Sequence, residues 1–323
     1  MRRTILVLAV VALLLAALGL VAARHDRLPV APGAWLPASG LEARHETVDG
    51  HRLRFVRAGA GPPVVLVHGF ASSLYTWKDV LPALAAAHEV VALDLPGFGA
   101  SDRPPDLSFE DLSAAVLGLM DRLGIERAAL VGNSMGGGVA AVVAAERPQR
   151  VSALVLIDAA GFALAPEDQP GMVRLMTSPL GAVLGELPGR RVAVEMSLRQ
   201  VFHDDSFVTD ERLAEYMSGL TPPGTFAAVR SLGLSLGSQT GVFEAALPRI
   251  EAPTLVVWGR EDRWIPLADA DRFVAAIPDA RKVVFDACGH MPQEEKPEVL
   301  GELLRQFLAP PEIQTGEATS ARG

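Results

Sequence analysis

Residues 130–137 read Leu-Val-Gly-Asn-Ser-Met-Gly-Gly, and the run continues as Gly138-Val139-Ala140. An apolar stretch suited to a buried strand meets glycines two residues either side of Ser134, at Gly132 and Gly136. That GxSxG spacing predicts a strand, a turn too tight for side chains at the glycine positions, and a helix that begins at once. A serine hydroxyl is a poor nucleophile at neutral pH, so a serine presented in this way needs a base, and the base an orienting acid. Three fixed positions in five recur by chance, so the motif alone does not decide the fold.

Chain order does. Asp262 lies downstream in Trp258–Pro266 (WGREDRWIP), and His290 follows in Ala287–Pro292 (ACGHMP). Upstream, Val64–Val67 reads as a strand ending in His68-Gly69-Phe70, where a backbone donor for an oxyanion could sit. Further apolar runs occur at 89–93, 128–131, 153–157, 254–258 and 282–285. Helical patterns lie between them, such as Phe109–Leu123 opened by Ser108 as N-cap, and Pro266–Ile277. Strands that read as continuous apolar runs are buried on both faces, which predicts a mostly parallel sheet covered by helices. Glu46–Val56 reads as a hairpin turning at Asp49-Gly50.

Taken together, the segments VVLVHGF (64–70), VVALDLPGFGASDRP (90–104), LVGNSMGGGVA (130–140), WGREDRWIP (258–266) and CGHMPQEEKPE (288–298) resemble the α/β-hydrolase fold superfamily, over about residues 42–308. The resemblance implies Ser134 as nucleophile, Asp262 as acid and His290 as base, with the backbone N–H groups of Phe70 and Met135 as the oxyanion hole. It implies no cofactor and no metal. Asp158, at the end of the strand run 153–157, is the alternative acid, because some relatives use that site. Glu261 is expected to point away. Serine at 134 sets the chain apart from haloalkane dehalogenases and epoxide hydrolases, which carry aspartate there.

Between Gly161 and about Thr225 the strand–helix alternation breaks into helix-like segments at 171–185, 190–203 and 209–219. Similar enzymes insert a helical cap here, so the expected division is core 42–161, cap 162–224 and core 225–308. Met172, Met176, Met196 and Met217, half of the eight methionines, fall in this insertion. They suit either an adaptable acyl pocket or gap-filling in a small helical layer.

Composition and the two ends bound the rest. A chain of 323 residues that is 50% hydrophobic has enough material for one large α/β core with an insertion. A formal charge of −9 argues against nucleic acid as a partner, and a single cysteine, Cys288, allows no intrachain disulfide. Thr4–Ala23 carries no charge and follows Arg2 and Arg3. As a helix it reaches roughly 30 Å, enough for a bilayer core. Residues 1–27 therefore read as a membrane anchor, with the catalytic part outside the cytoplasm, or as a signal segment cleaved after the small residues Val21-Ala22-Ala23. Residues 28–41 read as a linker and 309–323 as a disordered tail.

The expected activity is hydrolysis of a small, apolar carboxylic ester through an acyl-enzyme, similar to membrane-anchored monoacylglycerol lipases. Carbon–carbon hydrolysis of the meta-cleavage type is the alternative, since GNSMGG and WGREDRWIP also resemble those enzymes. HGFASS departs from the longer glycine-rich HGxGPG run they usually carry. A perhydrolase or haloperoxidase-like activity stays open. A non-catalytic scaffold on the same fold is disfavoured by the intact Ser, Asp and His set.

Overall fold

The computed structural model describes residues 32–163 and 190–309, with residues 171, 174 and 178 between them. Eight strands form one sheet: β1 (Arg44–Val48), β2 (His51–Ala58), β3 (Pro63–Val67), β4 (Glu89–Leu93), β5 (Ala128–Asn133), β6 (Val151–Ile157), β7 (Thr254–Gly259) and β8 (Ala280–Phe285). Their spatial order is β1-β2-β4-β3-β5-β6-β7-β8. β2 runs antiparallel to both β1 and β4, and every other pairing is parallel. The hairpin turns where the sequence predicts it, with Asp49 at φ 49° and Gly50 at φ 82°, the left-handed pair that a tight two-residue loop demands.

The lack of alternation has a direct cause. Every residue of β5 and of β7 is buried, and successive side chains feed two different cores. Val65, Val67, Leu130, Leu154 and Leu156 join one cluster, while Val64, Leu66, Val131, Val155 and Ile157 join the other. Helices α1 (Trp35–Ala38), α2 (Leu81–Ala85), α3 (Phe109–Arg122) and α4 (Met135–Glu146) precede the insertion. α3 starts at a full capping box, in which Ser108 and Asp111 satisfy each other's backbone N–H.

The insertion contains α5 (Arg190–Val201) and α6 (Asp210–Leu220), close to the sequence expectation. The predicted helix over 171–185 lies almost wholly outside the described residues, as do Met172 and Met176. Met217 is partly buried against the core, whereas Met196 is 53% exposed. α7 (Thr225–Ala246) then returns the chain to the core and packs on α3 and α4. α8 (Leu267–Ala276), α9 (Pro292–Glu295) and α10 (Pro297–Leu308) complete the layer.

The linker reading of 28–41 needs correction for its second half. Trp35 and Leu36 are buried, and Trp35 meets Tyr75 edge-on at 5.7 Å between ring centroids. The Gly33 N–H donates to the carboxylate of Glu215 on α6, so this stretch is fastened to the domain rather than free. Apolar aromatic area of this size gains more by burial than a tether gains by chain entropy. Among the described residues no helix is long and apolar enough to cross a membrane, and both Thr4–Ala23 and the tail from Pro310 lie outside them.

Candidate active site

Ser134 sits between β5 and α4 at φ 54°, ψ −123°, a conformation that non-glycine residues adopt only when the surroundings impose it. The surroundings here are backbone. The Ser134 N–H donates to the Ile157 carbonyl at 2.9 Å, and its own carbonyl accepts from Gly137, Gly138 and Ala160. A Cβ on Gly132 would stand 2.2 Å from the Gly136 oxygen, and one on Gly136 would stand 2.2 Å from the Val67 oxygen. Only hydrogen fits at either place, which is why propensity, unfavourable to a helix opening Gly136-Gly137-Gly138, is overridden. Close approach brings the start of α4 and its dipole beside the serine.

His290 and Asp262 come from the loops after β8 and β7, at the carboxyl edge of the sheet where β5 delivers Ser134. His290 Nδ1 lies 2.7 Å from Asp262 Oδ2, and both side chains are buried. Asp262 Oδ1 accepts from the backbone N–H groups of Trp264 at 2.7 Å and Ile265 at 3.1 Å, which fixes the carboxylate. The Trp264 ring stacks on the imidazole at 5.6 Å. With its Nδ1 proton directed at Asp262, the imidazole presents a lone pair at Nε2. That atom is buried and has no hydrogen-bond partner among the described residues.

The strand-end segment at 68–70 lies against the serine: a Cβ on Gly69 would sit 3.0 Å from Ser134 Cβ. His68 Nε2 accepts the Leu95 N–H at 3.0 Å, and its Nδ1 donates to the Gly69 carbonyl at 2.7 Å. Burial holds its pKa below the ordinary histidine value, so the ring is a neutral brace for this turn. Phe70 follows Gly69 in the chain and Met135 follows Ser134, so the approach of Gly69 to Ser134 brings the two backbone segments together.

The two candidate acids divide clearly. Asp262, not Asp158, binds the imidazole. Asp158 is wholly buried, its Oδ1 accepts the Gly259 N–H at 2.9 Å, and one of its oxygens lies within 4.8 Å of donor atoms on Asp262 and His290. Burial, followed by the charge of Asp262, pushes its pKa well above the usual carboxylate range, which favours its neutral form. The three groups are of metal-ligating type, and two of them, Asp262 and His290, are bound to each other. Glu261 points elsewhere, accepting the Cys288 N–H at 2.9 Å.

Three supports have no signature in the sequence reading. Asn133, one residue before the serine, donates from its buried amide to the carbonyls of Ile157 at 3.2 Å and His290 at 3.1 Å, tying three strand ends together. Trp264 and the adjacent carboxylates Glu294 and Glu295 are the others. Two adjacent acidic residues shortly after His290 were the available signal, though a solvated pair reads the same way.

The match to known proteins follows the same geometry, with residues 62–297 fitting the alpha/beta hydrolase fold family. The chain belongs to that family. Relatives of this α/β hydrolase include the 2-hydroxymuconate semialdehyde hydrolase of Pseudomonas sp. (strain CF600), 34% identical over 84% of this chain and 96% of that one. The dihydrolipoyllysine-residue acetyltransferase component of the acetoin cleaving system of Pseudomonas putida is 35% identical over 86% of this chain and 72% of that protein. Among solved structures, a bacterial membrane phospholipase A is similar with a TM-score of 0.69 and 27% identity, covering 95% of this chain and 98% of that one. The meta-cleavage product hydrolase of Pseudomonas fluorescens IP01 has a TM-score of 0.71 and 29% identity over 82% and 96%.

Proposed function

We propose that this α/β hydrolase cleaves carboxylic esters with Ser134 as nucleophile, His290 as general base and Asp262 as the acid that orients it. The observation that carries the reading is the His290–Asp262 bond, which leaves a buried Nε2 lone pair without a protein partner at the sheet edge that presents Ser134. In that arrangement His290 takes the serine proton as the hydroxyl attacks the acyl carbon, and Asp262 stabilises the imidazolium. The Phe70 and Met135 N–H groups receive the oxyanion, the alcohol leaves with the proton from His290, and water then deacylates the serine by the same route.

The membrane reading of residues 1–27 belongs to the same proposal. The likeness to a membrane phospholipase A supports it. The enzyme of this proposal is membrane-anchored, with its domain outside the cytoplasm. Full-length protein should resist carbonate extraction, and a version beginning at Pro29 should be soluble and active. Recovery of a mature N-terminus at Arg24 would show a cleaved signal instead.

The likeness to 2-hydroxymuconate semialdehyde hydrolase and to a meta-cleavage product hydrolase favours carbon–carbon cleavage as a second reading. HGFASS lacks the glycine-rich run of those enzymes and favours the ester. The test is a panel of p-nitrophenyl esters from two to sixteen carbons, monoacylglycerols and a 2-hydroxy-6-oxo-dienoate, run on the protein lacking residues 1–27. Turnover of the dienoate with a kcat/KM above that of every ester would replace the first reading by the second.

A further inference from the structure

The backbone around His290 is held from the cap. The His290 N–H donates at 2.7 Å to the carbonyl of Val201, the last residue of α5, and a Cβ on Gly289 would meet that same oxygen at 2.4 Å. The buried carboxylate of Glu295 spans the two sides of this contact. Its Oε1 accepts the Gly289 N–H at 2.7 Å, and its Oε2 accepts the His203 N–H at 2.8 Å. One carboxylate therefore joins the residue before His290 to the residue two past the carbonyl that receives His290. The neighbouring carboxylate, Glu294, does the same for α6, accepting Arg212 Nε at 2.6 Å and the Tyr216 hydroxyl at 2.5 Å, with Thr76 Oγ1 of the core at 2.7 Å.

Burying a carboxylate is costly unless both oxygens are satisfied, and here Oε1 accepts from Gly289 and Oε2 from His203. The cost is visible in Glu295, whose pKa burial raises despite those donors. Sub-ångström placement of a base matters far more to rate than to stability, since about 1 Å of misplacement can cost 10²-fold.

We propose that Glu295 is a positioning residue that locks the His290 loop to the 201–203 end of the cap, so that His290 keeps its place against Ser134 only while the cap is seated. The inference rests on the reading of His290 as the base. The cap thereby sets turnover: displacement of α5 pulls on the His290 N–H and on Glu295 together.

The test is Glu295→Gln in the full chain, whose amide turns a donor towards one of the two N–H groups it must accept. Well below its unfolding temperature the variant should lose kcat by about 10- to 100-fold with KM unchanged within about twofold. The low-field proton resonance of the His290–Asp262 bond should broaden or shift. A smaller loss of kcat, or an unchanged resonance, overturns the proposal, whatever happens to stability. If the variant does not fold, amide exchange in the unaltered protein decides: Gly289, His290 and His203 should open as one unit, and exchange of Gly289 and His290 with the sheet rather than with His203 overturns it. Failure of the underlying reading is seen separately, as ester turnover that survives His290→Ala.

Discussion

Asp158→Asn separates the two buried acids. In the folded protein Asp158 is held neutral by burial and by Asp262, whereas in the unfolded chain an aspartate ionises above about pH 3.9. Folding therefore takes up a proton at this site. A raised folded pKa gives a contribution that is fully present below the unfolded pKa and is lost as pH rises towards the folded one. The loss runs at about 1.4 kcal/mol per pH unit. An asparagine has the same shape, can accept the Gly259 N–H that Oδ1 now accepts at 2.9 Å, can offer an N–H to Asp262, and does not titrate. The variant should thus gain on the parent by about 1.4 kcal/mol for each pH unit above roughly 4, until the folded carboxyl itself ionises and the difference levels off. Urea midpoints at fixed slope, taken at pH 5, 6 and 7, read this directly. On the same samples Asp158→Asn should keep kcat within about fivefold, while Asp262→Asn loses about 10⁴-fold by supporting the wrong tautomer. A stability difference that does not change with pH, or a kcat loss at Asp158 equal to that at Asp262, would refute the assignment of a neutral Asp158 beside the catalytic acid.

Other consequences follow from single contacts. Ser134→Ala should abolish fluorophosphonate labelling and ester turnover while the circular dichroism of the fold is unchanged. Gly136→Ala, whose Cβ would stand 2.2 Å from the Val67 oxygen, should cost at least about 1–3 kcal/mol in urea unfolding and lower kcat in the folded fraction, because α4 must retreat from the sheet. Arg212→Met leaves the buried Glu294 carboxylate without its cation and should cost about 3–5 kcal/mol, partly recovered by the further change Glu294→Gln.

The sequence by itself determined the layers and the chain order. Continuous apolar runs at 64–67, 128–131 and 254–258 predict strands buried on both faces, because neither face has a polar register to show water. The Asp49-Gly50 turn and the Ser108 cap are local chemistry, written in a few adjacent residues, and they stand where they were predicted. Gly132 and Gly136 announce a close approach in advance, since only that need explains them at the mouth of a helix. What the sequence could not decide are matters of distance between loops far apart in the chain. Asp262 and Asp158 both follow strands and both suit an acid, and the choice rests on the 2.7 Å bond to His290. Trp35 in a proline- and alanine-rich stretch reads as a tether until a partner such as Tyr75 is brought under it. Glu294 and Glu295 look like any solvated pair until the end of α5 and the side of α6 close over them. Periodicity records which face of an element is dry, whereas the pairing of single polar atoms depends on packing that only the folded chain creates.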